Sequence, residues 1–400
     1  MYRLDLARTA TSRELQTFPR HRWFYFPHSF SHRLINEVLV LWDLPEDGII
    51  ADNFAGAGTT LLAARQHRLS AEGFDLSPLA VDVANAKIAC YDPNQLRRDL
   101  QTVLDAGLRD TAQISARLSK AFTKDELQEI FSLLTPIRKL PSRNCLFFLT
   151  ALLWAVKDFC RAVPDGGWFR WQTWPNRSDE IRQAFTDRVD CMLEDVQALN
   201  WTENDPPSRA RLADARRLPL PDSSIDGLIT SPPYANRHDY SRVFHIDLLL
   251  LGLAEPEVTK LRHGSIRSHV EAKSPDGYRS RLKSYIRPNA LQAVLEKVPD
   301  DADSRIRPLL SGYFEDIYLS LLEVGRVLKS GGRAAYVIGN VRHAGVMVPV
   351  DEILAELAPQ VGLTFDAAWV LRLRGNSAQQ MKHYGRQPSR ETVVFFAKDQ

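Results

Sequence analysis

Apolar residues fall into two rhythms along this chain. Short, mostly apolar runs bounded by turn residues read as strands, Ile225–Ile229 as a buried one. They lie at Ile49–Ile50, Ala71–Phe74, Ala210–Leu212, Ile225–Ile229, Arg333–Ile338, Phe365–Leu373 and Thr392–Ala397. Elsewhere apolar residues return every three to four positions, the pattern of helices with one buried face. The first such helix is capped by Ser31 and runs through Leu34, Ile35, Val38, Leu39 and Trp42. Others are predicted at Thr60–His67, Leu79–Ala89 (opened by Ser77-Pro78), Ile246–Leu251, Ile306–Lys329 (ended by Ser330-Gly331-Gly332) and Val350–Leu357. Strands and helices alternate at both ends of the chain, which predicts an α/β fold with a mostly parallel sheet.

Between these halves the strand rhythm disappears. Residues 92 to 200 hold helix patterns at Gln95–Ala106, Thr123–Leu134, Asn144–Ala162 and Ser178–Leu199. Thr123 followed by Glu126 has the spacing of a capping box. The block is too long for a connection and reads as a helical insertion. Within it, Pro164–Arg177 carries Trp168, Trp171 and Trp174 beside Arg170 and Arg177, which fits either a tryptophan-pinned loop or a base-stacking surface. The first twenty residues show no clear pattern.

Composition narrows the class. The 400 residues, 44% hydrophobic and 25% charged, suit a globular protein of one large domain with insertions or of two domains. A net charge of +2 excludes a polyelectrolyte, so any nucleic-acid site must be a local basic patch. One such patch lies at Lys260–Arg287, with eight Lys or Arg against Glu271 and Asp276, and with Tyr278 and Tyr285 between them. Cys90, Cys145, Cys160 and Cys191 show no CxxC spacing, which points to buried thiols in a reducing compartment and to no metal site. The N-terminus shows no apolar signal core, and Leu146–Val156 is too short to span a bilayer, so the expected location is the cytoplasm, away from membranes.

The candidate chemistry sits at strand ends. After the first strand comes Asp52-Asn53-Phe54-Ala55-Gly56-Ala57-Gly58-Thr59-Thr60, a glycine turn opening a helix. Its glycines let a ligand approach the backbone, and the helix start offers free N–H groups. It is not GxGxxG and has no Walker lysine, so a phosphate cradle is disfavoured. Asp75 ends the next strand about twenty residues on, where a carboxylate can accept from ribose hydroxyls. Asp214 follows another strand and can either meet an adenine amino group or cap its own turn. Ile225–Ile229 ends in Thr230-Ser231-Pro232-Pro233-Tyr234, where two prolines force the chain out of the sheet. An aromatic cluster, Arg22–Phe30, precedes the first helix, as packing or as a pocket wall.

The glycine turn with Asp75, followed by Ser-Pro-Pro-Tyr, resembles the DNA amino-methyltransferases dependent on S-adenosylmethionine. Their usual motif is Asp-Pro-Phe-x-Gly-x-Gly-Thr-Thr, with proline where this chain has Asn53. The resemblance covers roughly residues 20–90 and 205–400 and implies a Class I methyltransferase (Rossmann-like) seven-stranded sheet with one antiparallel strand. Ser231 favours the cytosine-N4 group, since the adenine-N6 group more often has Asp or Asn there. A cytosine-C5 enzyme would need a cysteine after a proline, and none of the four follows one.

The resemblance implies S-adenosylmethionine as cofactor, held by Asp52, Phe54, Gly56, Gly58, Thr59, Asp75 and Asp214, with Phe26 and Ser29 at its methionine end. It implies a catalytic turn of Ser231, Pro232, Pro233 and Tyr234 acting on a base flipped out of duplex DNA. Arg237, Arg242, Arg262, Arg267, Lys273, Arg279, Arg281 and Lys283 are the candidate DNA contacts. A cognate restriction endonuclease is the further partner it brings in. Adenine-N6 or RNA amino methylation, and a catalytically silent nucleic-acid-binding module, are the alternatives. The domain division expected is 20–91, first half; 92–204, helical insertion; 205–254 with 309–400, second half; and 255–308, a basic insertion for target reading, with Arg374–Arg390 beside it.

Overall fold

The computed structural model describes residues 1–26, 29–106, 114–165, 168–274, 277–375 and 388–399. The first half runs α1 (His32–Trp42), β1 (Ile49–Asp52), α2 (Thr59–Gln66), β2 (Ser70–Asp75) and α3 (Pro78–Ile88). Ser31 caps α1 and Ser77 caps α3, each accepting a backbone N–H through its hydroxyl. The helical block holds α4 (Pro93–Asp105), α5 (Ala116–Ala121), α6 (Lys124–Ile137), α7 (Ser142–Val156), a hairpin of β3 (Ala162–Asp165) and β4 (Trp168–Trp171), and α8 (Ser178–Ala198). The Thr123–Glu126 capping box opens α6 as its spacing predicts.

The second half begins with β5 (Ser208–Leu212) and β6 (Ile225–Thr230), then α9 (Tyr240–Val243) and α10 (His245–Leu251). In the basic stretch lie α11 (Glu255–Gly264) and α12 (Asn289–Lys297). It closes with α13 (Ile306–Val327), β7 (Leu328–Gly339), a ribbon of β8 (Val341–His343) and β9 (Val346–Val348), α14 (Val350–Leu357), β10 (Leu363–Arg374) and β11 (Ser389–Lys398).

Seven strands form the central sheet in the order β10-β11-β7-β6-β1-β2-β5. β11 runs antiparallel to both neighbours, and the other pairings from β7 to β5 are parallel. This is the Class I methyltransferase arrangement. From β1 the chain proceeds to β2 on one side, and its second half returns to β6 on the other. The carboxyl ends of β1 and β6 therefore flank the switch point where an α/β sheet opens a crevice. Register places them level, with Ile50 beside Gly227 and Ala51 beside Leu228.

Leu34, Ile35, Leu61, Leu62 and Ala84 cover one face of the sheet; Leu310, Phe314, Ile317, Ile353 and Leu354 cover the other. The helical block shares a third core with Trp23, Phe24, Leu79, Val83 and Val243 to Leu250, so it is packed into the fold rather than hung from it. Asp195 of α8 reinforces this join by accepting from the Arg20 backbone, the Arg22 guanidinium and Trp23 Nε1.

Three segments differ from expectation. The lead-in is ordered: Met1–Arg3 pairs with β10 through Val370, which covers that sheet edge. Leu328–Gly332 is the start of β7 rather than a separate turn, because a register shift against β6, with Gly331 at φ +74°, absorbs the extra residues. The tryptophan loop is a hairpin. Its Trp171 packs against the helical core beneath Lys120, 4.1 Å from the ring centre, which is the pinning role.

Candidate active site

One cavity gathers the strand ends. Asp52 ends β1 and Phe54, Gly56 and Thr59 follow it; Asp75 ends β2 and Ser77 follows it; Asp214 follows β5, and Ser231 to Tyr234 follow β6. Phe26 and Ser29 close a further side, brought there by the anchored segment around Trp23 and Phe24.

Asp52 is the hinge of the site. It is buried, and its two oxygens accept from Thr60 Oγ1 at 2.7 Å, Thr230 Oγ1 at 2.6 Å and Phe54 N at 3.0 Å. One carboxylate thus binds the glycine turn to the residue before the Ser-Pro-Pro-Tyr turn. Burial lifts its pKa to about 6, against the pull of those donors. Asp75 accepts from Gly56 N and Ser77 N at 2.9 and 2.8 Å, and burial raises its pKa as well. Gly56 has φ +47°, and a Cβ there would meet nothing within 4 Å, so the turn lies open beside Asp75.

Two expected cofactor contacts are otherwise occupied. Gly58 does not line the cavity. It sits at the start of α2, where a Cβ would come within 2.9 Å of Ala84, so its bareness serves the approach of α2 to α3. Asp214 lines the cavity but caps its own turn. Its Oδ1 accepts from Arg216 N and Nε, both at 2.9 Å; its Oδ2 accepts from Arg216 Nη2 at 2.8 Å and Tyr278 OH at 3.2 Å. Those four donors fill the lone pairs a carboxylate offers. Arg216 itself is fully buried, reaching Asp316 and the Gly264 carbonyl.

In the Ser231–Tyr234 turn, the Tyr234 ring lies over Gly339 at the end of β7. Burial holds its phenol above the ordinary range. Asn236 N donates to the Tyr234 carbonyl at 2.7 Å, and His343 bonds the Ala235 carbonyl at 2.6 Å. The cavity continues past the turn to Tyr240, Phe244, Ile266 and His269, none of which sequence reasoning singled out. They arrive by tertiary approach, and only the density of polar and aromatic residues after Tyr234 hinted at them.

Most candidate DNA-contact arginines have acid partners. Arg237 meets Asp303, Arg242 meets Asp239 and Glu271, and Arg262 meets the same two acids. Arg267 meets Asp316 and Glu315, and Arg281 meets Glu323. Lys273, Arg279 and Lys283 are exposed and form no ion pair among the described residues. Of the Arg374–Arg390 stretch, Arg374 pairs with Glu391 and Arg390 with Asp351, while residues 376–387 lie outside the described residues.

No protein-family model matches the chain. Curated proteins do. It is 27% identical to the Type II methyltransferase M.AvaI of Nostoc sp., over 95% of this chain and 86% of that protein. It is 24% identical to the Type II methyltransferase M.BsoBI of Geobacillus stearothermophilus, over 94% and 85%. Its homologues are Type II methyltransferases. A third, M.MvaI of Kocuria varians, is 21% identical over 84% of this chain and 80% of its own length.

Among solved structures, a SAM-dependent methyltransferase from Methanosarcina mazei aligns with TM-score 0.32 at 10% identity, covering 90% of this chain and 97% of that one. The [4+2]-cyclase SpnF aligns with TM-score 0.34 at 10% identity, covering 94% and 85%. At such scores it is the strand order, not the superposition, that identifies the fold.

The cavity fits the cofactor of such a methyltransferase, S-adenosylmethionine. Gly56 leaves its Cβ position empty, and the Asp75 carboxylate, held by backbone N–H donors, lines the cavity beside it. Phe26 and Phe54 supply apolar walls, and Asp52 a carboxylate for a cationic group. No helix among the described residues is long and apolar enough to cross a membrane.

Proposed function

We propose that this chain is a DNA methyltransferase that uses S-adenosylmethionine to methylate the exocyclic N4 amino group of a cytosine flipped out of the duplex. The observation that carries the reading is the Asp52–Thr230 bond of 2.6 Å, which puts the glycine turn and the Ser231–Tyr234 turn on one wall of one cavity. Homology to Type II methyltransferases supports it.

S-adenosylmethionine supplies an activated methyl group when bound. The chain's own work is positioning. An exocyclic amino nitrogen is a poor nucleophile because its lone pair is delocalised into the ring. Ser231 Oγ and the Pro232 carbonyl, held by the two prolines, accept its two N–H bonds and help it become tetrahedral. Tyr234 stacks on the base and favours the positive charge that develops there. Asp75 accepts from the ribose hydroxyls, and Phe26 and Ser29 hold the methionine end. Phe54, Gly56 and Thr59 shape the intervening wall. Ser231, in place of an acid or amide, favours cytosine over adenine. The exposed Lys273, Arg279 and Lys283 on the 255–308 insertion meet the DNA backbone.

The test is incubation with labelled S-adenosylmethionine and either DNA or RNA, followed by mass spectrometry of the nucleosides. The expected product is N4-methylcytosine in DNA, with activity falling about 10- to 100-fold in Tyr234→Ala, the worth of one base–aromatic stack, and falling also in Ser231→Ala. N6-methyladenine as product would overturn the choice of base, and full activity in both variants would overturn the site.

A further inference from the structure

We infer that Gly339 and His343 are positioning residues for the catalytic turn, one setting where the Tyr234 ring lies and the other fixing the peptide that follows it. The inference rests on the proposed role of that turn and adds two residues that no strand-end motif contains.

After its two prolines the chain from Tyr234 to Arg237 has no sheet or helix to hold it. Its support comes from the end of β7 and the ribbon that follows, and from the Ser268 carbonyl, which accepts from Arg237 N at 3.0 Å. The Tyr234 ring lies directly on the bare Cα of Gly339. A Cβ at that position would stand 2.8 Å from Cε2, 3.3 Å from Cδ2 and 3.4 Å from Cζ of the ring. The backbone has no room to yield, because Gly339 is paired with Glu391 and Asn340 N donates to the Arg390 carbonyl at 2.9 Å. Gly339 is not among the glycines with positive φ, so alanine would bring no backbone strain. The whole cost of a methyl group therefore falls on the ring, which must shift along the cavity wall where the base is to stack.

Four residues further on, the ribbon makes the second contact. Ala235 is fully buried, and its carbonyl needs a donor. His343, itself buried, lies with Nε2 at 2.6 Å from that oxygen. A carbonyl only accepts, so the proton sits on Nε2 and Nδ1 is left bare in the neutral ring. Burial also lowers the His343 pKa, which keeps the ring neutral at neutral pH. The 341–348 ribbon thus grips the turn from behind while the cavity side stays open.

The experiment compares Gly339→Ala, His343→Leu and His343→Gln with the wild type in steady-state methylation of DNA, alongside cofactor binding by calorimetry and thermal melting. Gly339→Ala is expected to lower kcat at least 10-fold, with cofactor affinity within twofold and melting temperature unchanged. His343→Leu should lower kcat with KM for the cofactor unchanged, and His343→Gln, which can still donate from its amide, should recover most of the loss. Undiminished kcat in Gly339→Ala, or a parallel fall in cofactor affinity and melting temperature, overturns the inference, as does equal loss in Leu and Gln at position 343. If the wild type methylates DNA and Tyr234→Ala does not, such results overturn this inference alone. A wild type that transfers no methyl group overturns the reading of the site and this inference with it.

Discussion

Replacing Asp52 by asparagine should make the protein's stability less sensitive to pH. Asp52 is 1% exposed, and burial is the largest influence on it, moving its pKa from 3.8 to about 6. That difference of about 2 units corresponds to roughly 3 kcal/mol. Between about pH 4 and 6 the folded chain keeps a proton on Asp52 that the unfolded chain has lost. The stabilisation is complete below the unfolded pKa and disappears as pH rises through the folded one, so the carboxylate costs the fold its full share by neutral pH. Asparagine has nearly the same shape and does not titrate. The stability difference, Asp52→Asn minus wild type, should therefore become more favourable by about 2 kcal/mol between pH 4.5 and 7.5. With an unfolding entropy of about 2.1 cal/mol/K per residue, this is a change of about 2–3 °C in the difference between their melting temperatures. Scanning calorimetry of both proteins at the two pH values measures it, and other titrating groups cancel in the comparison. A difference that stays flat with pH, or moves the other way, refutes the reasoning. The same carboxylate faces the cavity, so a sulfonium bound there should draw its pKa down. S-adenosylmethionine should then bind more weakly at pH 5 than at pH 7 in the wild type, with that dependence removed in Asp52→Asn.

Two further outcomes follow from the ion pairs. Arg216→Met should destabilise the chain by about 3 kcal/mol, because it removes the fully buried cation shared by half-buried Asp214 and buried Asp316 and leaves Asp316 with Arg267 alone; thermal melting measures this. Replacing Lys273, Arg279 and Lys283 together by alanine should leave melting unchanged and weaken DNA binding, with the slope of log K against log salt falling by about 0.9 for each phosphate that is no longer neutralised.

Much of the fold is legible in the sequence because the central strands carry buried apolar runs, Ala334–Ile338 in β7 and Val393–Phe396 in β11 among them. The helix Val350–Leu357 has the bounds its periodicity predicts. Segments held by backbone bonds alone leave no such trace, and Met1–Arg3 beside β10 is one. Helix α11 is equally hard to read, since Val258 is its one buried residue and its surroundings are charged. In the site, contiguous motifs are legible: Asp52 to Gly56 with Thr59, Asp75, and Ser231 to Tyr234 reach one cavity through three adjacent strand ends. Gly58 shows the limit of such reading. A glycine that lets a ligand approach and one that lets a helix approach look the same in a string of letters, and only the 2.9 Å from its missing Cβ to Ala84 distinguishes them.

Charge is where local reading goes furthest astray, for a physical reason. The stretch Lys260–Arg287 holds eight cations and two acids, which in isolation is a basic surface. Its counter-charges lie later in the chain, on α13. Glu315 and Asp316 take Arg267, and Glu323 takes Arg281. Arg262 is matched by Asp239, just after the Ser231–Tyr234 turn, and by Glu271. Buried and half-buried pairs of this kind fasten the insertion to the body of the protein, and a guanidinium with two carboxylates around it has little field left for a phosphate. On our proposal, then, DNA is met by the few cations left exposed on the rim of the insertion, while the paired arginines keep that rim at a fixed distance from Tyr234. An arginine exchanged for alanine inside the network should lower stability and DNA binding together, whereas one on the rim should lower binding alone. That contrast separates the two classes in a single set of variants.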